Sequence, residues 1–460
     1  DVSFQLSFLA VLSILYLVPR ILQSLRSEGI SFVAETSWSR KMWRYTKLSL
    51  LVTGVAIVGT APFVAFHFNR ISPLGFVTNL FFIPWVGFLI VPLSLIASLF
   101  SFFFYPLAIL MIHITDFLTM LLLKAVAFFA SFPYGSFSVS TPTPLEMIVS
   151  YALLFSFVHL QKGKGVRYLF LVLCVAFLFD LAFWNLKDRF QNNLMVTFID
   201  VGHGDSILLE LPKGKRMLID GGGLHDERFD IGKNVIAPFL WKKKIRKIDR
   251  LILTHPDPDH LKGMNFIASY FSIGQFWDNG LQENSEPYLQ LKETLLKKKI
   301  MWVSLNENTP PEMFSGVQIS ILNPPARKAS HAKDQHPSFL NNQSLVMRIQ
   351  FGQVALLLTA DIEKEAEYWM MRKGLHLKAN ILKIPHHGSA SSSTPLFQER
   401  VKPTYTILSV GERNIGRLPD LEVLKRYEQL GAKIFRTDRH GAITVITDGE
   451  RIQIKTFLKD

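Results

Sequence analysis

The sequence predicts a polytopic α-helical membrane domain over residues 1–190, followed by an αβ/βα sandwich over residues 191–460. Three observations lead there. Residues 1–190 hold 13 Lys/Arg and 7 Asp/Glu, against 37 and 30 in residues 191–460. Phenylalanine is skewed the same way, with 26 of the 38 in the first 190 positions. Long apolar runs in the first part give way, from residue 194, to short apolar segments punctuated by Gly, Pro and Asp. The average of 19% charged residues therefore describes neither part. A single soluble globule and a disordered chain are both excluded.

Crossing a hydrocarbon layer roughly 30 Å thick takes about 20 apolar residues in a helix. Suitable runs lie near 4–22, 48–68, 74–101, 105–130, 145–160 and 168–186, which makes six passages, within one. The third contains Pro84 and Pro92 and is kinked, broken or re-entrant. The fifth is short. Connection 23–47 carries Arg26, Arg40, Lys41, Arg44 and Lys47, and connection 161–167 carries Lys162, Lys164 and Arg167, whereas 131–144 has no charge. Under the positive-inside rule the first two are cytoplasmic. With six passages the sandwich then lies outside the cytoplasm, on a multi-pass protein of the inner membrane. His113 and Asp116 fall on one helical face, and Lys124 and Asp180 also sit in apolar surroundings. They form an ion pair, snorkel to the interface, or line a polar pathway.

The single cysteine, Cys174, excludes an intrachain disulfide and a cysteine-based zinc site, and reads as a small buried side chain. The formal charge of +13 leaves room for a polyanionic partner. Residue 1 is Asp rather than Met, so the chain is expected to be part of a longer one.

In the second part, MVTFID (195–200), SILLEL (206–211) and RMLID (216–220) read as successive strands. A helix near 232–241, the strand RLILTH (250–255) and a helix after 260 follow. A second series runs through 317–322, SLVMRIQF (344–351), QVALLLTA (353–360), a helix at about 362–373 and NILKIPHH (380–387).

The chemistry concentrates in Thr254-His255-Pro256-Asp257-Pro258-Asp259-His260. Alternation along a turn lets His255 and Asp257 face one point while Asp259 and His260 face a neighbouring one, which suits two metal ions. A plain Asp-Pro turn is the competing reading. It weakens because other polar residues arrive at strand ends in order: Asp220 before three glycines, Asp361 after LLLTA, and His386-His387-Gly388-Ser389 after NILKIP.

This part resembles the metallo-β-lactamase fold superfamily. FIDVGHGDS (198–206), THPDPDH, LLLTAD, KIPHHGSASSS (383–393), SVGERN (409–414) and RTDRHGAI (436–443) resemble the nuclease-like domain of the ComEC family of competence DNA-uptake proteins. DVSFQLSFLAVL (1–12) and NLFFIPWVGFLIVPL (79–93) are similar to that family's membrane domain. On that resemblance, further membrane segments and a small β-barrel domain precede residue 1.

The sequence departs from the superfamily at several points. Asp257 stands where a second His is usual. Asn341-Asn342-Gln343-Ser344 occupies the stretch where another metal-binding His is expected, and the ComEC-like form shares both changes. Ala360 replaces a frequent Gly, His203 a frequent Gln, and Arg417 a His after Asn414.

The resemblance implies phosphodiester hydrolysis at two divalent cations. Carboxylate-rich ligands favour Mn²⁺, with Zn²⁺ or Mg²⁺ as alternatives. His255 and Asp257 would hold one ion, Asp259 and His260 the other, with Asp361 bridging and His386 or His387 completing the set or binding phosphate. Asp259, Asp220 and Lys262 are the expected catalytic set. Asp220 would orient ligands, and Asn341, Asn342, Ser344, Ser389 and Lys262 would hold phosphate oxygens. Lys-rich runs at 242–247 and 297–299 either track a DNA backbone or form solvated faces.

The implied partners are incoming double-stranded DNA, the single-stranded product, a lipid bilayer, and other competence proteins such as a DNA receptor and a cytoplasmic motor. The expected function is DNA internalisation through a membrane channel, with an attached nuclease degrading one strand. Two other classes stay open: a transport protein with a catalytically silent soluble domain, and a membrane-tethered hydrolase of a lactone, thioester or phospholipid.

Overall fold

The computed structural model describes residues 1–27, 38–132, 135–223, 229–326, 337–412 and 418–458. Asn414 and Arg417 lie outside the described residues. The chain divides into two compact units, Asp1–Leu181 and Ala182–Asp460.

Five helices are long and apolar enough to cross a membrane: Val2–Ser24, Lys41–Phe68, Gly75–Phe100, Tyr105–Ala130 and Lys164–Phe190. At most 22% of each apolar stretch is buried within the chain, so these side chains require a non-aqueous surround. The fifth apolar run forms the shorter helix Pro144–Val158, so the described residues hold five helices of spanning length and one short apolar helix. At 1.5 Å per residue its 15 residues reach only about 22 Å. A capping box starts it, with Thr143 Oγ1 accepting from the Glu146 N–H and the Glu146 carboxylate accepting from the Thr143 N–H. The run with two prolines is one continuous rod. Pro84 lies in Gly75–Trp85, Pro92 opens Val91–Phe100, and a π-helical turn, Val86–Ile90, joins them. Pro84 lacks an N–H and Pro92 sits where the N–H demand is relaxed, so the passage survives both.

His113, Asp116 and Lys124 all lie on Tyr105–Ala130 with exposed side chains, and none has an ion-pair partner among the described residues. Close packing in this unit depends on small residues. A Cβ on Gly59 would lie 2.0 Å from Ser13 Oγ and 2.4 Å from Ser13 Cβ, which places the first two helices in near backbone contact. The Gly59 carbonyl also accepts from the Tyr151 hydroxyl at 3.0 Å.

The second unit is two sheets packed face to face between helices. In spatial order the first has strands Ile452–Thr456, Ile443–Thr447, Leu194–Phe198, Ile207–Glu210, Arg216–Ile219, Lys247–Ile252, Ser272–Asp278 and Met301–Ser304. The second has Lys433–Arg436, Tyr405–Leu408, Ile381–Lys383, Val354–Leu358, Val346–Phe351, Val317–Asn323 and Glu312–Phe314. In both sheets one half is antiparallel and the other parallel.

Alternation builds the layers. Val196, Leu209 and Ile219 face Ile349, Leu356 and Ile381 in the central core, while Leu208, Leu218 and Leu251 turn outward onto Leu240 and Ile267. On the far side Leu357 and Leu382 turn onto Met370 and Tyr427. Both faces of the parallel strands are covered, which is why they read as continuous apolar runs. Strand NILKIPHH is shorter than its sequence suggests, ending at Lys383 and leaving both histidines in the turn Pro385–Gly388.

Gly59→Ala is expected to lower the stability of the detergent-solubilised chain by about 1–3 kcal/mol through overpacking. Adding Ser13→Gly removes the clashing atoms and should restore most of the loss, as measured by thermal unfolding of the singles and the double.

Candidate metal centre

The chemistry-bearing residues follow the ends of parallel strands. Asp220 follows Arg216–Ile219, the His/Asp run follows Lys247–Ile252, Asp361 follows Val354–Leu358, and His387 follows Ile381–Lys383. Side chains from four chain segments thereby reach one end of the sandwich.

Asp220 organises the first two. Its backbone is left-handed, φ +58°, which Asp tolerates better than bulkier residues. Asp220 Oδ1 accepts from the Thr254 N–H, and Oδ2 from the Thr254 hydroxyl, each at 2.8 Å. Asp220 Oδ2 also lies 2.8 Å from His260 Nδ1, which therefore carries the proton. The Thr254 oxygen, having donated its proton to Asp220, faces His255 Nδ1 at 3.1 Å and accepts from it. His387 Nδ1 donates to the Ser409 carbonyl at 2.8 Å. In all three rings Nδ1 is engaged as a donor, so Nε2 is the nitrogen left to bind a cation. All three Nε2 atoms are buried without a hydrogen-bond partner among the described residues.

Two of these nitrogens meet two carboxylates. Donor atoms of Asp259, His260, Asp361 and His387 all lie within 4.8 Å of one another. Asp361 Oδ2 is 3.3 Å from His260 Nε2 and 3.2 Å from His387 Nε2. Asp259 Oδ2 is 3.8 Å and 3.4 Å from the same atoms. These are separations between ligands around a shared centre, and the donor set fits a divalent cation. His255 Nε2 faces Asp257 Oδ2 at 3.4 Å, a two-donor pair beside the first set, with the His255 and His260 ring centroids 4.2 Å apart.

Electrostatics agree with that fit. Burial disfavours the His387 imidazolium, but the Asp361 carboxylate and its neighbours outweigh burial and push the group up to about 10. His260 is likewise raised, against burial, by Asp361, Asp220 and Asp259. Asp259 is lowered, against burial, by His260 and His387. Without a cation the carboxylates hold protons on the imidazoles; a cation at the common point displaces those protons.

Two residues of the site are missing from the sequence-based set. Lys383, fully buried, pairs with Asp205 and lies 3.2 Å from Asp361 Oδ1, while donating to the Ala360 carbonyl at 2.9 Å. One oxygen of Asp361 thus faces the histidines and the other an ammonium, which leaves Oδ2 as the oxygen that can meet a cation. A lysine in a three-residue strand gives no sign of burial; the Asp of DVGHGDS was the legible clue. The backbone at Ala360, φ +46°, accounts for the glycine frequent at that position.

Other expected residues are placed elsewhere. His386 turns away from the four-residue set, with Nδ1 3.3 Å from Glu363 Oε1 and 3.3 Å from Ser391 Oγ. Burial raises Glu363, but His386 and Asn341 hold it below its ordinary range. Asn341 Nδ2 donates to Glu363 at 3.3 Å. Asn342 Oδ1 accepts from the Glu363 and Ala366 N–H groups, capping the helix Lys364–Arg372. Ser344 is sealed in the interior, where substrate cannot reach it. Ser389 Oγ lies 3.0 Å from Ser391 Oγ, and Lys262 sits in the turn after Pro258–Leu261, outside the four-residue set. Of the lysine runs, Lys243 pairs with Glu210, and Lys298 donates to the Ala268, Ser269 and Phe271 carbonyls at the end of a helix. These side chains are engaged within the fold.

Residues 1–164 match the family model described as competence protein, and residues 199–412 match that of the metallo-beta-lactamase superfamily. ComE operon protein 3 of Bacillus subtilis is 26% identical over 433 residues, covering 88% of this chain and 53% of that protein. Competence protein ComA of Neisseria gonorrhoeae is 27% identical over 405 residues, covering 88% of this chain and 51% of that protein. The chain therefore spans about half the length of these curated relatives. Among solved structures, the metallo-beta-lactamase fold protein YhfI from Bacillus subtilis is 12% identical, covers 56% of this chain and 100% of that one, and gives a TM-score of 0.35.

Asp220→Asn puts an amide N–H against groups that are all donors. Mn²⁺ affinity of the full chain, followed by calorimetric titration, is expected to fall about 10–100-fold. Lys383→Met strands Asp205 and Asp361 as buried charges, and should cost the metal-free protein about 3–5 kcal/mol in thermal unfolding. Adding Asp205→Asn removes one stranded charge and should recover part of that loss.

Proposed function

We propose that this chain, which belongs to the ComEC family of competence proteins, takes up DNA across a membrane and hydrolyses phosphodiester bonds of the strand that stays behind. The observation that carries the hydrolytic half is the convergence of Asp259, His260, Asp361 and His387 at one end of the sandwich. In this reading residues 1–190 form the membrane part and 191–460 the nuclease. The short helix Pro144–Val158 completes a sixth crossing. That keeps Lys162, Lys164 and Arg167 cytoplasmic and puts the sandwich outside, where incoming DNA arrives.

The four convergent residues would hold one divalent cation, Mn²⁺ by preference. His255 with Asp257 would hold a second, more weakly because they supply only two protein donors. Bound there, such cations supply an acidified water and charge neutralisation for the phosphoryl oxygens. The protein's own part is orientation. Asp220 keeps the His255 and His260 lone pairs aimed outward, Lys383 keeps Asp361 ionised and turned to the centre, and the Ser409 carbonyl does the same for His387. The DNA receptor and cytoplasmic motor expected from the resemblance belong to the same reading.

The test is digestion of single-stranded DNA by the detergent-solubilised full chain. Chelation should abolish cleavage and Mn²⁺ restore it, while Asp259→Ala should lose at least about 100-fold in rate with the fold intact. If the Mn²⁺-loaded parent leaves DNA as intact as Asp259→Ala does, the hydrolytic half fails and a silent, DNA-transporting domain takes its place.

A further inference from the structure

The loop Asp200–Asp205 carries a histidine that has no place in the metal set. It is clamped from two sides. A Cβ on Gly204, φ +98°, would lie 2.0 Å from the Asp259 carbonyl oxygen, so only glycine lets the loop rest on that backbone. The Asp205 N–H donates to the same carbonyl at 3.3 Å, the Asp205 carbonyl accepts from the Gly222 N–H at 2.7 Å, and the Asp205 carboxylate is paired with Lys383. On the other side a Cβ on Gly411 would stand 3.0 Å from the Gly202 carbonyl carbon and 3.2 Å from the His203 nitrogen.

This clamp delivers the His203 ring to the mouth of the centre. Nε2 is 3.7 Å from Asp259 Oδ2, and the ring centroid is 5.1 Å from that of His387. At 3.7 Å the carboxylate is not hydrogen-bonded. His203 is also absent from the four-donor set. His260 and His387 are sealed, at 0% and 1% side-chain exposure, whereas Asp259 and His203 reach solvent at 24% and 16%. Of these four side chains, Asp259 and His203 are therefore the two that meet solvent. An anionic oxygen there needs a donor, because Asp259 repels it.

We propose that His203 is a substrate-binding residue, whose Nε2–H donates a hydrogen bond to a non-bridging oxygen of the phosphate seated at the centre. The inference rests on the phosphodiester reading above and adds the group that orients the phosphate from the solvent side.

Calorimetric titration of the full chain tests it, with Mn²⁺ first and then thymidine 5′-monophosphate on the Mn²⁺-loaded protein. His203→Leu keeps much of the ring's volume and loses the donor; His203→Gln keeps an N–H of similar reach. A hydrogen bond to a charged oxygen is worth about tenfold or more in affinity. Nucleotide affinity should therefore fall about tenfold in His203→Leu and stay within about threefold in His203→Gln. Mn²⁺ affinity should be unchanged in both. Nucleotide binding by His203→Leu equal to the parent overturns the inference alone. So does a tenfold fall in Mn²⁺ affinity, which would make His203 a metal ligand. A parent that binds Mn²⁺ but no nucleotide overturns both the inference and the phosphodiester reading.

Discussion

The carboxylate of Asp220 is the constraint on which the rest of the centre depends. Its two oxygens take three hydrogen bonds, from the Thr254 N–H, the Thr254 hydroxyl and His260 Nδ1. Through the Thr254 hydroxyl it also settles the proton on His255. One buried acid thereby decides the tautomer of two imidazoles and leaves their Nε2 lone pairs aimed outward. Burying such a charge is tolerable only because every contact is a donor. The backbone cost of its left-handed conformation, about 1–2 kcal/mol, is carried by the same contacts.

Charge balance is the second theme. Asp205 and Asp361 are buried with Lys383, His260 and His387, and the half-buried Asp259 borders them. The lysine offsets one carboxylate permanently, since its ammonium is itself held charged by Asp205 and Asp361 in spite of burial. The remaining negative charge is met by protons on the histidines or by a divalent cation. The protein thus keeps a deficit of one ion-sized charge at a place its strand ends define. Lys383 engages one oxygen of Asp361 and leaves the other facing the two histidines.

Much of this was legible in the sequence. Periodicity located most of the strands it named to within three residues, because strands covered on both faces must be apolar throughout; NILKIPHH overran its strand by four residues, and Ser272–Asp278, Met301–Ser304 and Glu312–Phe314 went unread. The run from Thr254 to His260 stood out because carboxylates and imidazoles rarely crowd a turn without a charge to share. The choice between His386 and His387 was not legible. Adjacent residues in a turn differ only in direction, and left-handed backbone at both, φ +46° and +51°, sends one to Glu363 and the other to Asp361. Asn342 misled for a related reason: an amide suited to phosphate is equally suited to capping the helix Lys364–Arg372, and proximity decided.

What the sequence determined by itself was therefore one-dimensional: the apolar half against the ordinary half, the order of the strands, and the stretches where metal-binding chemistry collects. Those properties depend on composition and on neighbours along the chain. Tertiary structure alone decided that Lys383 is a buried counter-charge, that Asp205 belongs to the centre, and that His203 stands at its mouth. Each depends on segments far apart in sequence being brought together, and for Asp205 and His203 a glycine is the only residue that fits, as at Gly204 against Asp259. Contacts of that kind leave no periodic trace, because they are set by backbone separation in space.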